Sequence, residues 1–100
     1  MFTVIEHPNF QRQVSKIWSD AELAEFIWFI VQNPFAGKVI PGAGGARKIR
    51  WAMEGQGKRG AARVIYFNLL ENGMIELFAI YEKSEKENMT AAEIKNARKK

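Results

Sequence analysis

The first apolar cluster, Thr3 to Glu6 (TVIE), is short and rich in β-branched residues, a pattern that predicts a strand. After it the period changes. Pro8 suits the first turn of a helix, and Phe10, Val14, Ile17 and Trp18 recur at helical spacing. Ser19-Asp20-Ala21-Glu22 has the spacing of a capping box, and Leu23, Phe26, Ile27, Ile30 and Val31 follow as one apolar stripe that stops at Asn33-Pro34. Two such helices in succession form a hairpin whose stripes need a surface to cover, most simply one face of a sheet. Gly37 to Gly45 (GKVIPGAGG) then carries four glycines and a proline, and lacks the Lys-Ser/Thr ending of a phosphate-binding loop. It reads as a turn-forming connector.

Beyond the connector the period is two. Over Arg47 to Met53, Ile49, Trp51 and Met53 face one way and Lys48, Arg50 and Ala52 the other. Glu54 to Gly60 (EGQGKRG) leads into a strand over Ala61 to Leu70, which returns through a hairpin at Glu71-Asn72-Gly73 into Met74 to Glu82. Thr90 to Lys100 closes the chain as an amphiphilic helix. The hairpin has two candidate registers. A two-residue Asn72-Gly73 turn pairs Leu70 with Ile75 and sets Glu76 beside Phe67 and Leu69, whereas a three-residue loop with Gly73 left-handed pairs Leu69 with Ile75 and Arg63 with Tyr81. The three-residue form is favoured because it gathers Ile65, Phe67, Leu69, Ile75, Leu77 and Ala79 on one side. Arg63, Tyr81 and Lys83 then meet at one end of the hairpin. The other face keeps Val64, Tyr66, Phe78 and Ile80, to be covered by a partner, a second copy or the final helix.

One hundred residues, 47% of them hydrophobic, suit a single domain over 1–100. Cysteine is absent, which removes disulfides, thiolate metal sites and a cysteine nucleophile and fits the cytosol. The N-terminus lacks a basic region followed by an apolar one, and the longest apolar run, Phe26 to Val31, is far too short to span a bilayer. Neither secretion nor membrane insertion is expected. The net charge of +4 is unevenly spread: −2 over residues 1–34, +6 over 35–70 and zero over 71–100. Between Arg47 and Arg63 stand six basic residues (Arg47, Lys48, Arg50, Lys58, Arg59 and Arg63) against one acid, Glu54. A focused positive field attracts polyanions, so nucleic acid is the first partner to consider; basic loops also serve solubility.

The acids are scattered, and the lone His7 sits between a strand and a helix, where a structural role is expected. No metal and no small-molecule cofactor are expected. Trp18, Trp28 and Trp51 lie in apolar runs and are expected in the core rather than stacked on bases. A metal-free cationic site suits RNA cleavage, in which the 2′-hydroxyl is the nucleophile and the protein positions the chain, neutralises the pentavalent phosphate and moves protons. Arginine binds phosphate oxygens bidentately and keeps its charge, so the protons must pass through Lys48, Lys83, Tyr81 or another lysine.

Three segments carry a resemblance: GAGGARKIR (Gly42 to Arg50), GQGKRGAARVIYF (Gly55 to Phe67) and IYEK (Ile80 to Lys83). With the helix pair before them, they resemble the RelE/HigB family of bacterial type II toxins, most closely its HigB-like branch. The resemblance implies an α/β (α+β) fold, with two N-terminal helices packed on a small, mostly antiparallel sheet and a short C-terminal helix. It implies a cytoplasmic, ribosome-dependent, metal-independent mRNA endoribonuclease that is silenced by a cognate antitoxin. Lys48 and Arg50 match the family's paired basic positions, Arg63 the arginine that stabilises the scissile phosphate, and Lys83 the basic position ending the last strand. Arg50 stands where RelE itself has a lysine assigned to acid catalysis, and Met89 lies near its tyrosine base. Tyr81 is therefore the candidate for the missing hydroxyl. The expected catalytic set is Lys48, Arg50, Arg63, Tyr81 and Lys83, with Arg47, Lys58 and Arg59 on RNA backbone. ParE toxins, which poison DNA gyrase on the same fold, define the competing binding class.

Overall fold

The computed structural model describes residues 2–52, 61–82 and 88–98. Its strands are β1 (Thr3–Glu6), β2 (Lys38–Val39), β3 (Arg47–Trp51), β4 (Ala62–Leu69) and β5 (Met74–Glu82). Its α-helices are α1 (Pro8–Val14), α2 (Asp20–Gln32) and α3 (Ala91–Arg98). The strands form one sheet in the order β1-β5-β4-β3-β2, with β1 parallel to β5 and every other pairing antiparallel. This is the expected α/β class. Lys58, Arg59 and Lys83 lie outside the described residues, as does Met53.

Local chemistry starts each helix. The imidazole of His7 caps α1 by accepting the Asn9 N–H, with Pro8 in the first turn, so the lone histidine is structural as expected. Ser19 and Glu22 close the capping box of α2 in both directions, at 2.8 and 3.2 Å. Phe10, Val14, Trp18, Phe26 and Ile30 then pack against Val64, Tyr66, Ile75, Leu77 and Ile80. Ring contacts tighten this layer: Trp18 lies 5.3 Å from Phe26, and Trp51 lies 5.4 Å from Phe26 and 4.6 Å from Phe29. Fully burying each large apolar side chain contributes about 1.5–3 kcal/mol, which offsets the entropy of ordering the helix pair.

The hairpin departs from both registers anticipated from the sequence. Leu69 pairs with Met74, and the connection is a 3₁₀ turn over Leu70–Asn72 followed by Gly73 at φ +66°. The positive φ explains the glycine. Farther from the turn, Ile65 pairs with Ala79 and Arg63 with Tyr81, as the three-residue form requires. The difference is absorbed by a bulge, in which Phe78 is the extra residue between Ala79 and Leu77. The expected one-sided set is therefore split. Ile75 and Leu77 join the face under α1 and α2, while Ile65, Phe67, Phe78, Ala79 and Tyr81 pack on the opposite face.

That second face is covered by the chain itself. Ile94 of α3, fully buried, packs there with Ala43 and Ala46 of the connector. Arg98 lies 3.7 Å over the Phe67 ring and 3.5 Å from the Glu76 carboxylate, which fixes the far end of α3. The final helix is thus the cover, and the expected Val64–Tyr66–Ile80 side is the one beneath the helix pair. The glycine-rich connector also holds the short edge strand β2, which pairs with Arg47 and Lys48 only.

Candidate functional site

Three adjacent strands place Arg50, Arg63 and Tyr81 in one row. Arg50 pairs with Arg63, and Arg63 with Tyr81, so all three side chains share a face. The neighbouring row is Lys48, Ile65 and Ala79 on the same face. Two arginines directly opposite each other repel, and a fold built for stability alone gains nothing from them. Arg50 is exposed, whereas Arg63 is only 4% exposed. Among the described residues its sole hydrogen bond runs from Nη1 to the Ala61 carbonyl at 3.5 Å, and Nε has no acceptor. A buried guanidinium with unused donors is a site prepared for an anion.

The segment before α3 lies over this row. Thr90 and Glu93 form a reciprocal cap at 2.9 and 3.1 Å, which fixes where the helix starts and leaves Asn88 and Met89 ahead of it. Asn88 accepts a short hydrogen bond from Lys48 Nζ. The hydroxyl of Tyr81, itself 6% exposed, accepts the Met89 N–H at 3.0 Å. Among the described residues the hydroxyl proton has no acceptor, so Tyr81 can donate a hydrogen bond to a substrate oxygen.

Arg47 does not join the row. It pairs with Tyr66, and its guanidinium donates to Gly37 O at 2.7 Å and Phe35 O at 3.4 Å while lying 5.1 Å over the Phe35 ring. Tyr66 completes this anchor, accepting the Gly37 N–H and donating to Pro34 O, both at 2.8 Å. Burial raises the Tyr66 pKa above its ordinary value of 10.0, while the Gly37 N–H and the Arg47 charge oppose the rise. Of the residues expected at the site, the structure brings together Lys48, Arg50, Arg63 and Tyr81. It adds Asn88 and the Met89 amide, which the Thr90-x-x-Glu93 spacing could have located. Trp28, expected in the core, is 68% exposed, because the stripe of α2 turns position 28 outward.

The sequence matches no protein-family model. Solved structures do match. A free-state mutant of E. coli toxin RelE, with two arginines changed to alanine, superposes with a TM-score of 0.63 over 86% of this chain and 87% of that one. The fold is RelE-like. Identity to that structure is 12%. The intact E. coli RelBE toxin–antitoxin complex gives a TM-score of 0.61 at 14% identity, covering 82% of this chain and 96% of its counterpart. Isolated E. coli RelE gives 0.59 at 14% identity, covering 82% and 84%. The likeness covers the fold, a helix pair on one face of a five-stranded sheet. Among the described residues, no helix is long and apolar enough to cross a membrane.

Proposed function

We propose that this protein is the toxin of a type II toxin–antitoxin pair and cleaves messenger RNA on the ribosome, with the Arg50–Arg63–Tyr81 row as its cleavage site. The observation that carries the reading is Arg63: buried, opposite a second arginine, and among the described residues with no acceptor for its Nε. Support also comes from the RelE-like fold and from the HigB-like motifs GAGGARKIR and GQGKRGAARVIYF. In the proposed reaction the RNA 2′-oxygen attacks the adjacent phosphorus and the bond from phosphorus to the 5′-oxygen breaks, leaving a 2′,3′-cyclic phosphate. Arg63 and Arg50 hold the non-bridging oxygens and stabilise the charge gathered in the transition state. Lys48 and Lys83 are the candidates to take the 2′ proton and return one to the leaving 5′-oxygen, with Tyr81 orienting the chain. Lys58 and Arg59 are assigned to RNA backbone.

The partners proposed are the ribosome with its message and a cognate antitoxin, because one of the matching structures is a toxin held in such a complex. The place of action is then the cytoplasm. The test is primer extension on messages from cells briefly expressing the protein, beside Arg50→Ala. Cuts in phase with codons, lost in the variant, support the reading. Intact messages with continued growth arrest would move the protein to the gyrase-poisoning class.

A further inference from the structure

Lys38, exposed on the short edge strand β2, stands directly opposite Lys48. Paired residues of antiparallel strands point to the same face, and Lys48 and Arg50, two apart on β3, share a face as well. The face that sets Arg50 opposite Arg63 therefore carries a second pair of like charges. Cross-strand partners hold their Cβ atoms about 4.5–5.5 Å apart, where like charges repel. A lone lysine on an edge strand guards against pairing with another sheet, but that task gains nothing from a second lysine placed across from it. The sequence holds no Asp or Glu from Phe35 to Met53, and among the described residues Lys38 forms no ion pair. The two like-charged pairs lie one step apart on β3. Two residues along a strand advance about 6.4–6.8 Å, comparable with the separation of successive phosphates on a single strand of nucleic acid.

We infer that Lys38 forms a second phosphate subsite, which holds the phosphodiester next to the one at Arg50 and Arg63. The inference rests on the RNA-cleavage reading of the Arg50–Arg63–Tyr81 row, and it gives that RNA a direction, from the row toward the β2 edge. Lys48 lies between the two phosphates and is left for proton transfer. The rest of its own row, Ile65 and Ala79, is buried under α3 and the residues that lead into it. An anion therefore meets this part of the face at the edge, where Lys38 is exposed and Lys48 half-buried. A lysine there contributes charge and no base contact, so it strengthens binding without adding sequence preference. Carboxylates on alternate residues of an extended acidic peptide have a similar step, and such a peptide is the competitor in the test.

The test is binding of a dye-labelled 2′-O-methyl trinucleotide, whose blocked 2′-oxygens cannot attack, read by fluorescence anisotropy with the intact protein. Its two phosphodiesters are replaced one at a time by neutral methylphosphonates. Lys38→Ala is expected to weaken binding of the fully charged trinucleotide about two- to fivefold and to lower the slope of log K against log salt by about 0.7. One of the two methylphosphonates is expected to cost the wild type the same factor and to cost Lys38→Ala nothing further, as a shared contact requires. Lys38 is exposed and pairs through its backbone, so alanine there retains the fold. Unchanged affinity and salt slope in Lys38→Ala would overturn the inference, and would assign the lysine to edge protection if that variant also aggregates. A glutamate-rich peptide that displaces the trinucleotide from the wild type but not from Lys38→Ala would overturn it in favour of a protein partner. If messages stay intact while the wild type still reads both phosphates, the cleavage reading fails and the subsite stands. If messages are cut while Lys38→Ala binds like the wild type, the subsite fails and the cleavage reading stands.

Discussion

Arg63→Met separates stability from function. In the wild type Arg63 is 4% exposed, and its one described side-chain hydrogen bond is a 3.5 Å contact to the Ala61 carbonyl. An unsatisfied buried donor costs about 1–3 kcal/mol, and an uncompensated charge adds to that. Methionine keeps an unbranched chain that can fill the volume and removes both penalties, so the variant is expected to be more stable by about 1–3 kcal/mol. For a domain of this size each kcal/mol moves Tm by roughly 4–8 °C, so the smallest expected rise is about 4 °C. The second half of the experiment adds inorganic phosphate at matched ionic strength. A ligand at a hundred times its Kd stabilises by about 2.7 kcal/mol. The wild type is expected to gain Tm with phosphate and Arg63→Met to gain none. Circular dichroism melts read both effects. A variant that melts several degrees below the wild type, with phosphate response intact, would show that Arg63 serves the fold and not an anion.

Three further outcomes follow from contacts elsewhere. A Cβ at Gly37 would lie 2.8 Å from Tyr66 Cε1 and 2.9 Å from its hydroxyl, so Gly37→Ala is expected to cost about 1–3 kcal/mol in urea unfolding. Because burial raises the Tyr66 pKa, the native state keeps a proton that the unfolded chain releases near pH 10. The resulting stability is complete below that pH and is lost as pH rises through the native value; Tyr66→Phe is expected to flatten this alkaline decline in unfolding midpoints taken from about pH 9 to 11. Gln13 Oε1 accepts the Ile80 N–H at 3.3 Å just past the point where β1 stops pairing with β5. Gln13→Met is expected to lose about 1 kcal/mol and Gln13→Glu to retain most of it, measured by the same unfolding assay.

Where the chain carries its own punctuation, the fold was legible. The Ser19–Glu22 box, Pro8 and the alternation over Arg47 to Met53 led directly to α2, α1 and β3, whose described span is Arg47–Trp51. The hairpin was harder because β4 and β5 are buried on both faces, so alternation does not pin the register. A bulge at Phe78 could then reverse which side each residue serves. The pairing of Arg63 with Tyr81 was legible because it lies on the far side of that bulge. The stripe over Leu23 to Val31 already left Trp28 off the apolar face, so its exposure was readable and was lost only by treating the apolar run as core. The burial of Arg63 was not readable, since it depends on packing around the sheet face that no local pattern encodes. Asn88 and the Met89 amide were within reach of the sequence, because the Thr90-x-x-Glu93 spacing sets where α3 begins and leaves both residues just ahead of it.

The most direct measurement is message cleavage in a reconstituted translation system, with purified wild type beside Arg63→Met and with cut positions mapped to the nucleotide. Cuts within codons held on the ribosome, absent from a variant whose Tm equals or exceeds that of the wild type, are the expected result. Equal cutting by both proteins, or an intact message with the wild type present in excess, would contradict the assignment of the buried Arg63 and its row to RNA cleavage.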